Sequence, residues 1–544
     1  MTTRKTHPYI KKLVEQFDAG RVDRREFLRT ATLLGLSAAS AYAIAGGASM
    51  PVARAQDLPQ GGTIRVGHRV PDLSNPHALG WFMFSNITFP VVQTLTRTGA
   101  DNVTIPLLCE SWEPSEDLRS WTIHLRKEAT WRSGRPFVAD DVIWNINHVL
   151  DPATGSSSLG LMKPYLLNEN EDTLWDANAL EKVDDYTVRL NLRVPQVAIP
   201  EHLFHYTNTM LDPEDGGVFQ VGSNGTGPFE LVELEVQRKA VLKAVPDYWG
   251  EQANVDMFEF VDLGDDTAAA LGALASGQVD GLFRIEQFQI DAVTSMDHVE
   301  MYSAVTSLTA TFATKVTQEP WSNPKVRLAM KLAVDNEKVL AAAALGNGLP
   351  AENHHACPIH PEYAELPKMG VDLERARALL AEAGYPDGID AEVQCIAEPQ
   401  WEVAETQAIV DQLAQVGIRF KINVMPGSQF WEVWDKAPVS HSSWAHRPLA
   451  IQLYALVYRS GAKWNLFEWS NAEFDELLVQ AEGIADVEER SKVVAKLEKI
   501  LQDEGPTLQS IWVNEQTAYD RRVKGFSLHP SMCIFPETMA IEAA

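Results

Sequence analysis

A chain of 544 residues with a formal net charge of −28, from 46 basic and 74 acidic side chains, has room for about two to four structural lobes. Its 45% apolar and 22% charged residues are those of a globular protein and exclude a disordered or fibrous chain. So strong an acidic excess argues against nucleic acid or an anionic bilayer as the main partner. Four cysteines (Cys109, Cys357, Cys395, Cys533) are too few for a disulfide scaffold and contain no C-x-x-C spacing.

The amino terminus departs from the rest. Residues 1–55 hold nine Lys/Arg and four acids, so the remainder carries −33. Asp23-Arg24-Arg25-Glu26-Phe27-Leu28-Arg29 precedes a mild apolar run from Ala31 to Ala45, and Ala53-Arg54-Ala55 offers small residues for a signal peptidase. A basic region, an apolar region and an A-x-A site in that order read as an export leader. The arginine pair before Phe27-Leu28 resembles a twin-arginine signal. The Ala/Gly/Ser-rich run falls short of the about 20 strongly apolar residues a membrane span needs. The mature protein, from Gln56 onward, is therefore expected in the periplasm, where thiols can oxidise. Cys357 and Cys395 are the nearer candidates for a disulfide, which the sequence leaves open.

Beyond Gln56, strands and helices interleave without repeats. Thr63–His68 and Trp121–Arg126 read as short strands, and Tyr186, Val188, Leu190 and Leu192 alternate with polar residues at period 2. Within 141–150, Val142, Ile143, Ile146, Val149 and Leu150 share one helical face. Asn323-Pro324 opens a helix with a cap and an N1 proline. Helices over 372–384 and from Asp486 to Gly505 follow the same logic of cap, apolar stripe and terminal glycine. Ile418–Val424 alternates again as a strand. The chain is α/β with more than one lobe.

Familiar catalytic signatures are missing: there is no G-x-x-x-x-G-K-[ST], no H-E-x-x-H and no G-x-S-x-G. Asn224-Gly225-Thr226-Gly227-Pro228 precedes a strand, so it reads as a tight turn rather than a phosphate loop. Asp140-Asp141 and Asp265-Asp266 read as caps and solvated faces, since neighbours point in different directions. His354, His355, Cys357 and His360 could gather a soft metal, but their spacing fits no standard closed site. No cofactor is expected.

Six of fifteen tryptophans fall in 401–469: Trp401, Trp431, Trp434, Trp444, Trp464 and Trp469. Trp431 and Trp434, three apart, read as one helix face. Trp444 and Trp464 sit among polar residues, in Ser442-Ser443-Trp444-Ala445-His446-Arg447 and Lys463-Trp464-Asn465, as in a pocket that stacks on a ligand and orients it.

Several segments then carry a resemblance. Leu118–Arg126 (LRSWTIHLR), Trp131–Phe137 (WRSGRPF), Ala139-Asp140-Asp141-Val142, Asn224–Phe229, Asp247–Gly250, Ser276–Asp280, Asn323–Asp335 and Leu379–Tyr385 occur together and in order. They resemble extracellular solute-binding proteins of family 5, the peptide/nickel-type group serving ABC importers. The resemblance implies a two-lobed periplasmic-binding-protein fold with a hinge and an extra subdomain in the first lobe. The first lobe would comprise 56–92, 223–310 and 508–544, the extra subdomain 93–222, and the second lobe 311–507. It also implies a non-enzymatic, monomeric receptor that closes on a small solute and delivers it to a membrane permease.

Where peptide-binding members carry W-x-x-D to hold an α-ammonium, this chain reads Trp444-Ala445-His446-Arg447. A guanidinium there suits a carboxylate, a phosphate or sugar hydroxyls. The expected solute is thus peptide-like, anionic or amino-modified; an oligosaccharide or a metal chelate is the alternative, and a secreted hydrolase a more distant one. The ligand-binding candidates are Trp444, His446, Arg447, Trp464 and Asn465, with Trp401, and Phe84 and Asn86 from the Trp81–Asn86 run of the first lobe.

Overall fold

Alternation builds the sheet from which the molecule hangs. In Thr63–Gly67, Ile64 and Val66 are buried while Arg65 points out, as the pleat requires. The computed structural model describes residues 6–46 and 58–543. This strand pairs in parallel with Met257–Val261 and Gly281–Leu282, and Lys239–Ala244 and Phe229–Glu235 extend that half antiparallel. In the other half, Ile389–Ile396 lies parallel to both Ile418–Met425 and Val439–Trp444.

Two long strands join the halves. The first six residues of Val299–Thr314 pair with Glu515–Asp520 of the strand Ile511–Asp520. After an irregularity between Ala304 and Leu308, Thr309–Thr314 pair with Val439–Trp444. A bulge lets a strand bend and change partners. The two halves each have their own core: Ile64, Phe229, Leu242, Phe258 and Phe260 in one, and Phe312, Trp321, Met330, Leu379, Ile409 and Phe420 in the other.

The helices start where their caps lie. Asn323 accepts from the Lys325 amide before Pro324–Ala333, Asp372 from Arg375 before Leu373–Glu382, and Asp486 from Glu488 and Glu489 before Val487–Glu504. Lys331 then closes the far end of that last helix, donating to the carbonyls of Leu501, Gln502 and Gly505 at 2.6–3.2 Å.

Residues 93–222 contribute a four-stranded antiparallel sheet in the order Cys109–Pro114, Ser120–Leu125, Thr187–Asn191, Leu180–Asp184. The WRSGRPF segment is tied into it. Trp131 Nε1 donates to Asp141 at 3.1 Å, and Arg135 spans Asp141 and Asp212 at 2.9 and 2.6 Å. Asp141 thus caps Ala139–Leu150 and anchors the motif at once. The Asn224–Pro228 turn leads into a strand as expected. A Cβ at Gly225 or Gly227 would lie 2.1 Å from the Val91 or Pro90 carbonyl, so only glycine permits this approach.

The leader segment forms helices Tyr9–Asp18, Arg24–Leu33 and Ala38–Ile44. Leu13, Phe27 and Leu34 are fully buried against residues of 93–222 and 449–501. Trp112 Nε1 donates to the Leu33 carbonyl at 3.0 Å, and Lys12 pairs with Asp486. The Ala53-Arg54-Ala55 site lies outside the described residues. Cys357 and Cys395, whose pairing the sequence left open, are not joined: all four cysteines are free and buried. Cys357 faces the Thr306 carbonyl at 3.6 Å, whereas Cys395 contacts Thr406 at 3.1 Å in the second core.

Candidate functional site

A run of tryptophans in ring contact connects the two halves of the sheet. Trp81, on the loop after Thr63–Gly67, meets Trp431 of the other half with ring centroids 5.7 Å apart. From there the rings continue as Trp431–Trp434 at 5.7 Å, Trp434–Trp444 at 6.2 Å and Trp444–Trp464 at 6.1 Å. Trp431 is not a core residue, as a helix-face reading implied: its helix is only Gly427–Phe430, and its ring is 39% exposed. Trp444 is buried at the end of Val439–Trp444, with Nε1 donating to Thr311 Oγ1 at 3.0 Å. Trp464 packs on the core of the first half and on the cluster that joins residues 93–222 to 449–501, and the adjacent Lys463 donates to the Gly155 carbonyl at 2.8 Å.

The loop after Trp444 is fixed to the bulge of the long strand. The Ser307 amide donates to His446 Nδ1 at 3.1 Å, so His446 carries its proton on Nε2 and donates to Asn102 Oδ1 at 3.1 Å. The Arg447 amide donates to Ser307 Oγ at 3.4 Å. The Cys357 amide donates to His360 Nδ1, and His360 Nε2 donates to the Arg447 carbonyl, both at 3.0 Å. The conformation of this loop is therefore coupled to the point where the strand changes halves.

A buried polar cluster that the sequence did not single out joins residues 156–158 to 205–207. Ser158, His205 and Thr207 form a hydrogen-bonded triangle with sides of 2.8–3.0 Å, and Ser156 joins Thr207 at 3.2 Å. Tyr206 stacks edge-on against Phe82 at 5.5 Å. The run Ser156-Ser157-Ser158 was the available signal. Burial, then the Arg447 charge, holds His205 well below the ordinary histidine range. Burial also lowers His446 and His355, with neighbouring histidines adding to it. Burial lowers Arg447 itself.

Other expected site residues are placed differently. Trp401 is packed into the second core. Asn86 is bound to main chain, donating to the Met532 carbonyl at 3.1 Å and accepting from Ile534 at 2.9 Å. Asn465 closes its own turn through the Arg459 and Trp469 carbonyls and the Trp469 amide. Phe84 is half-buried on the first core. His354 bonds Glu352 at 2.8 Å while His360 is held by main chain; the described residues contain no group of three side chains arranged for a metal. A surface concavity of about 470 Å³ lies elsewhere, around Gly61, Arg65, Asp280 and Arg522.

Residues 103–463 match the family described as bacterial extracellular solute-binding proteins, family 5 Middle. The chain belongs to this family. Its members are the solute-binding components of ABC importers. The glutathione-binding protein GsiB of Escherichia coli strain K12 is 26% identical over 450 residues, covering 78% of this chain and 83% of that one. Among solved structures, the fold is similar to the periplasmic binding protein DppA of Helicobacter pylori in complex with the peptide STSA (TM-score 0.76, 19% identity, 89% and 99% of the two chains). It is similar too to AgaA of A. tumefacien R10 in complex with agropinic acid (TM-score 0.78, 20% identity, 89% and 99%). The two-lobed architecture of this family 5 protein is thereby shown. Its identifying motif, WRSGRPF with Asp141, serves to hold the subdomain together rather than to line the cleft.

Proposed function

We propose that this family 5 protein is exported by its twin-arginine leader and acts as a non-enzymatic, monomeric receptor. It captures a small peptide-like or amino-modified solute between its lobes and hands it to an ABC permease. The lobes divide as 56–92, 223–310 and 508–544, with 93–222 as an extra subdomain, against 311–507. Trp444, His446, Arg447 and Trp464 hold the solute from the second lobe, and Trp81 and Phe84 face it from the first.

The observation that carries this reading is the anchoring of the His446–Arg447 loop to Ser307, at the bend of the strand shared by both halves. A solute that orders this loop acts directly on the hinge, and hinge closure is how two-lobed binding proteins respond to ligand. GsiB is named for glutathione and AgaA holds agropinic acid, which supports a small amino-acid-derived solute. Calorimetry with small-angle scattering over oligopeptides, glutathione, opine-like conjugates and oligosaccharides tests it. One-to-one binding with a smaller radius of gyration is expected; no binding and no compaction across the library refutes it.

A further inference from the structure

Residues 93–222 meet residues 311–507 directly. The Val197 amide donates to the Glu482 carbonyl at 2.8 Å, Lys463 to the Gly155 carbonyl at 2.8 Å, and His446 Nε2 to Asn102 Oδ1 at 3.1 Å. The leader bridges the same two units. On the side of 93–222, His7 takes the Tyr9 amide on Nδ1 at 3.2 Å, so its Nε2 carries the proton and donates to the Glu116 carbonyl at 3.0 Å. Tyr42 donates to Asp101 at 2.7 Å. Arg25 and Arg29 donate through Nε to the Asp101 and Asn102 carbonyls, both at 3.3 Å, and Trp112 donates back to the Leu33 carbonyl. On the side of 311–507, Lys12 pairs with Asp486, the residue that caps Val487–Glu504.

The leader fits the surface it covers. Leu13, Phe27, Ala31 and Leu34 are fully buried, in one apolar cluster with Trp112, Leu449, Val494 and Leu497. Gly35 has φ +90°, and a Cβ there would stand 2.9 Å from the Trp112 carbonyl, so the turn after Arg24–Leu33 is matched to that strand. A signal that is only read and removed has no need of such complementarity. The contacts also converge on one residue. Asn102 receives Arg29 on its main-chain carbonyl and His446 on its side chain, and His446 in turn accepts from the Ser307 amide at the bend of the long strand. The leader is thereby joined, through Asn102, to the loop that meets the hinge.

We propose that the docked leader is a clasp, which holds 93–222 on 311–507 and keeps the uncleaved chain shut to solute until it is removed. The two units part only when the Val197–Glu482 bond breaks. With residues 6–46 spanning both, parting also exposes the apolar face of the leader and pulls Lys12 from Asp486 or His7 from Glu116. The open state is depopulated, and apparent affinity falls by the fraction of molecules able to open. A chain folded before export is in this way kept from capturing peptides in the cytoplasm.

The clasp rests on reading 1–55 as a leader and 93–222 and 311–507 as parts that separate, and the experiment keeps its failure distinct from that of solute capture. It uses the full chain: the wild type, Leu13→Asp to undock the leader, and Lys11→Glu as a charge control at an exposed neighbour. Hydrogen exchange of the Val197 amide follows the contact between the units, exchange within Arg24–Leu33 follows the leader, and scattering gives the radius of gyration. In the wild type, the Val197 amide should exchange no faster than the amides of the leader. Leu13→Asp should speed it about tenfold or more and enlarge the radius, while Lys11→Glu does neither. Glutathione and trialanine, as probes, should bind Leu13→Asp about tenfold or more tightly than the wild type. A wild-type Val197 amide that exchanges faster than the leader overturns the clasp, and this comparison decides even if Leu13→Asp does not fold. An undocked leader with unchanged Val197 exchange and radius overturns it too. If exchange and radius respond while neither probe binds, the clasp stands and capture of such solutes fails. Exported protein whose mass still includes residues 1–46 overturns the clasp as a device released on export.

Discussion

Trp81 and Trp431 meet from opposite sides of the cleft, and neither ring is needed by the core of its own lobe. An aromatic pair of this kind contributes about 0.5–1.5 kcal/mol beyond its buried area. Trp81→Ala should therefore leave the melting temperature nearly unchanged while weakening solute affinity by roughly 2- to 10-fold, because only the closed form loses contact. Calorimetry beside thermal unfolding checks this; a large loss of stability would mean the ring serves folding instead. Asp141 is the opposite case. It is 3% exposed and holds Trp131, Arg135 and the start of Ala139–Leu150. Asp141→Ala should cost about 3–5 kcal/mol in urea unfolding, with the affinity of the remaining folded protein unchanged.

At the scale of elements, the helices ended where caps and terminal glycines indicated because those signals act within four residues. Asn323 and Asp486 cap as read, and Asp372 caps the helix whose apolar repeat was read. The 16-residue strand Val299–Thr314 was not legible. Its two halves satisfy different neighbours, and the bend at Ala304–Leu308 follows from tertiary pairing rather than any local residue. Trp431 and Trp434 show a related limit: spacing of three marks a shared face but cannot distinguish a core from a cleft. Arg447 was legible as an unexpected cation, whereas the Ser158–His205–Thr207 triangle joins residues far apart in sequence and only the fold brings them together. Lys331 was likewise invisible as a helix closer. Lys331→Met would strand the carbonyls of Leu501, Gln502 and Gly505, and urea unfolding should show a loss of about 1–3 kcal/mol. An unchanged midpoint would show that water replaces the ammonium.

The whole molecule buries many titratable groups, and their effects oppose one another. Burial holds His68, His77 and His529 at about 4 and His202, His360 and His441 at about 3. It also pushes His205, His355 and His446 well down. In the unfolded chain these histidines titrate near 6.5, so between about pH 4 and 6.5 the unfolded state binds more protons and stability rises with pH. Burial lifts Glu201 and Glu286 to about 7, Glu402 to about 8 and Glu498 to about 9. Their folded forms keep protons that the unfolded chain releases above about 4.5, so they lower stability as pH rises toward 8–9. The histidines are more numerous, which places the maximum near pH 6.5. Calorimetric melting temperatures from pH 4.5 to 9 should trace this arch; a maximum at the acid end would contradict it.

The tryptophan ladder also gives the molecule an optical signature. Rings at 5.7–6.2 Å are close enough for their electronic transitions to couple pairwise, so the near-ultraviolet dichroism depends on how Trp81, Trp431, Trp434, Trp444 and Trp464 are placed against one another. Separation of the lobes detaches Trp81 from the end of that chain while the other four stay together on the second lobe. Hinge opening should thus be visible without any added label, as a change in near-ultraviolet dichroism and emission that Trp81→Phe abolishes.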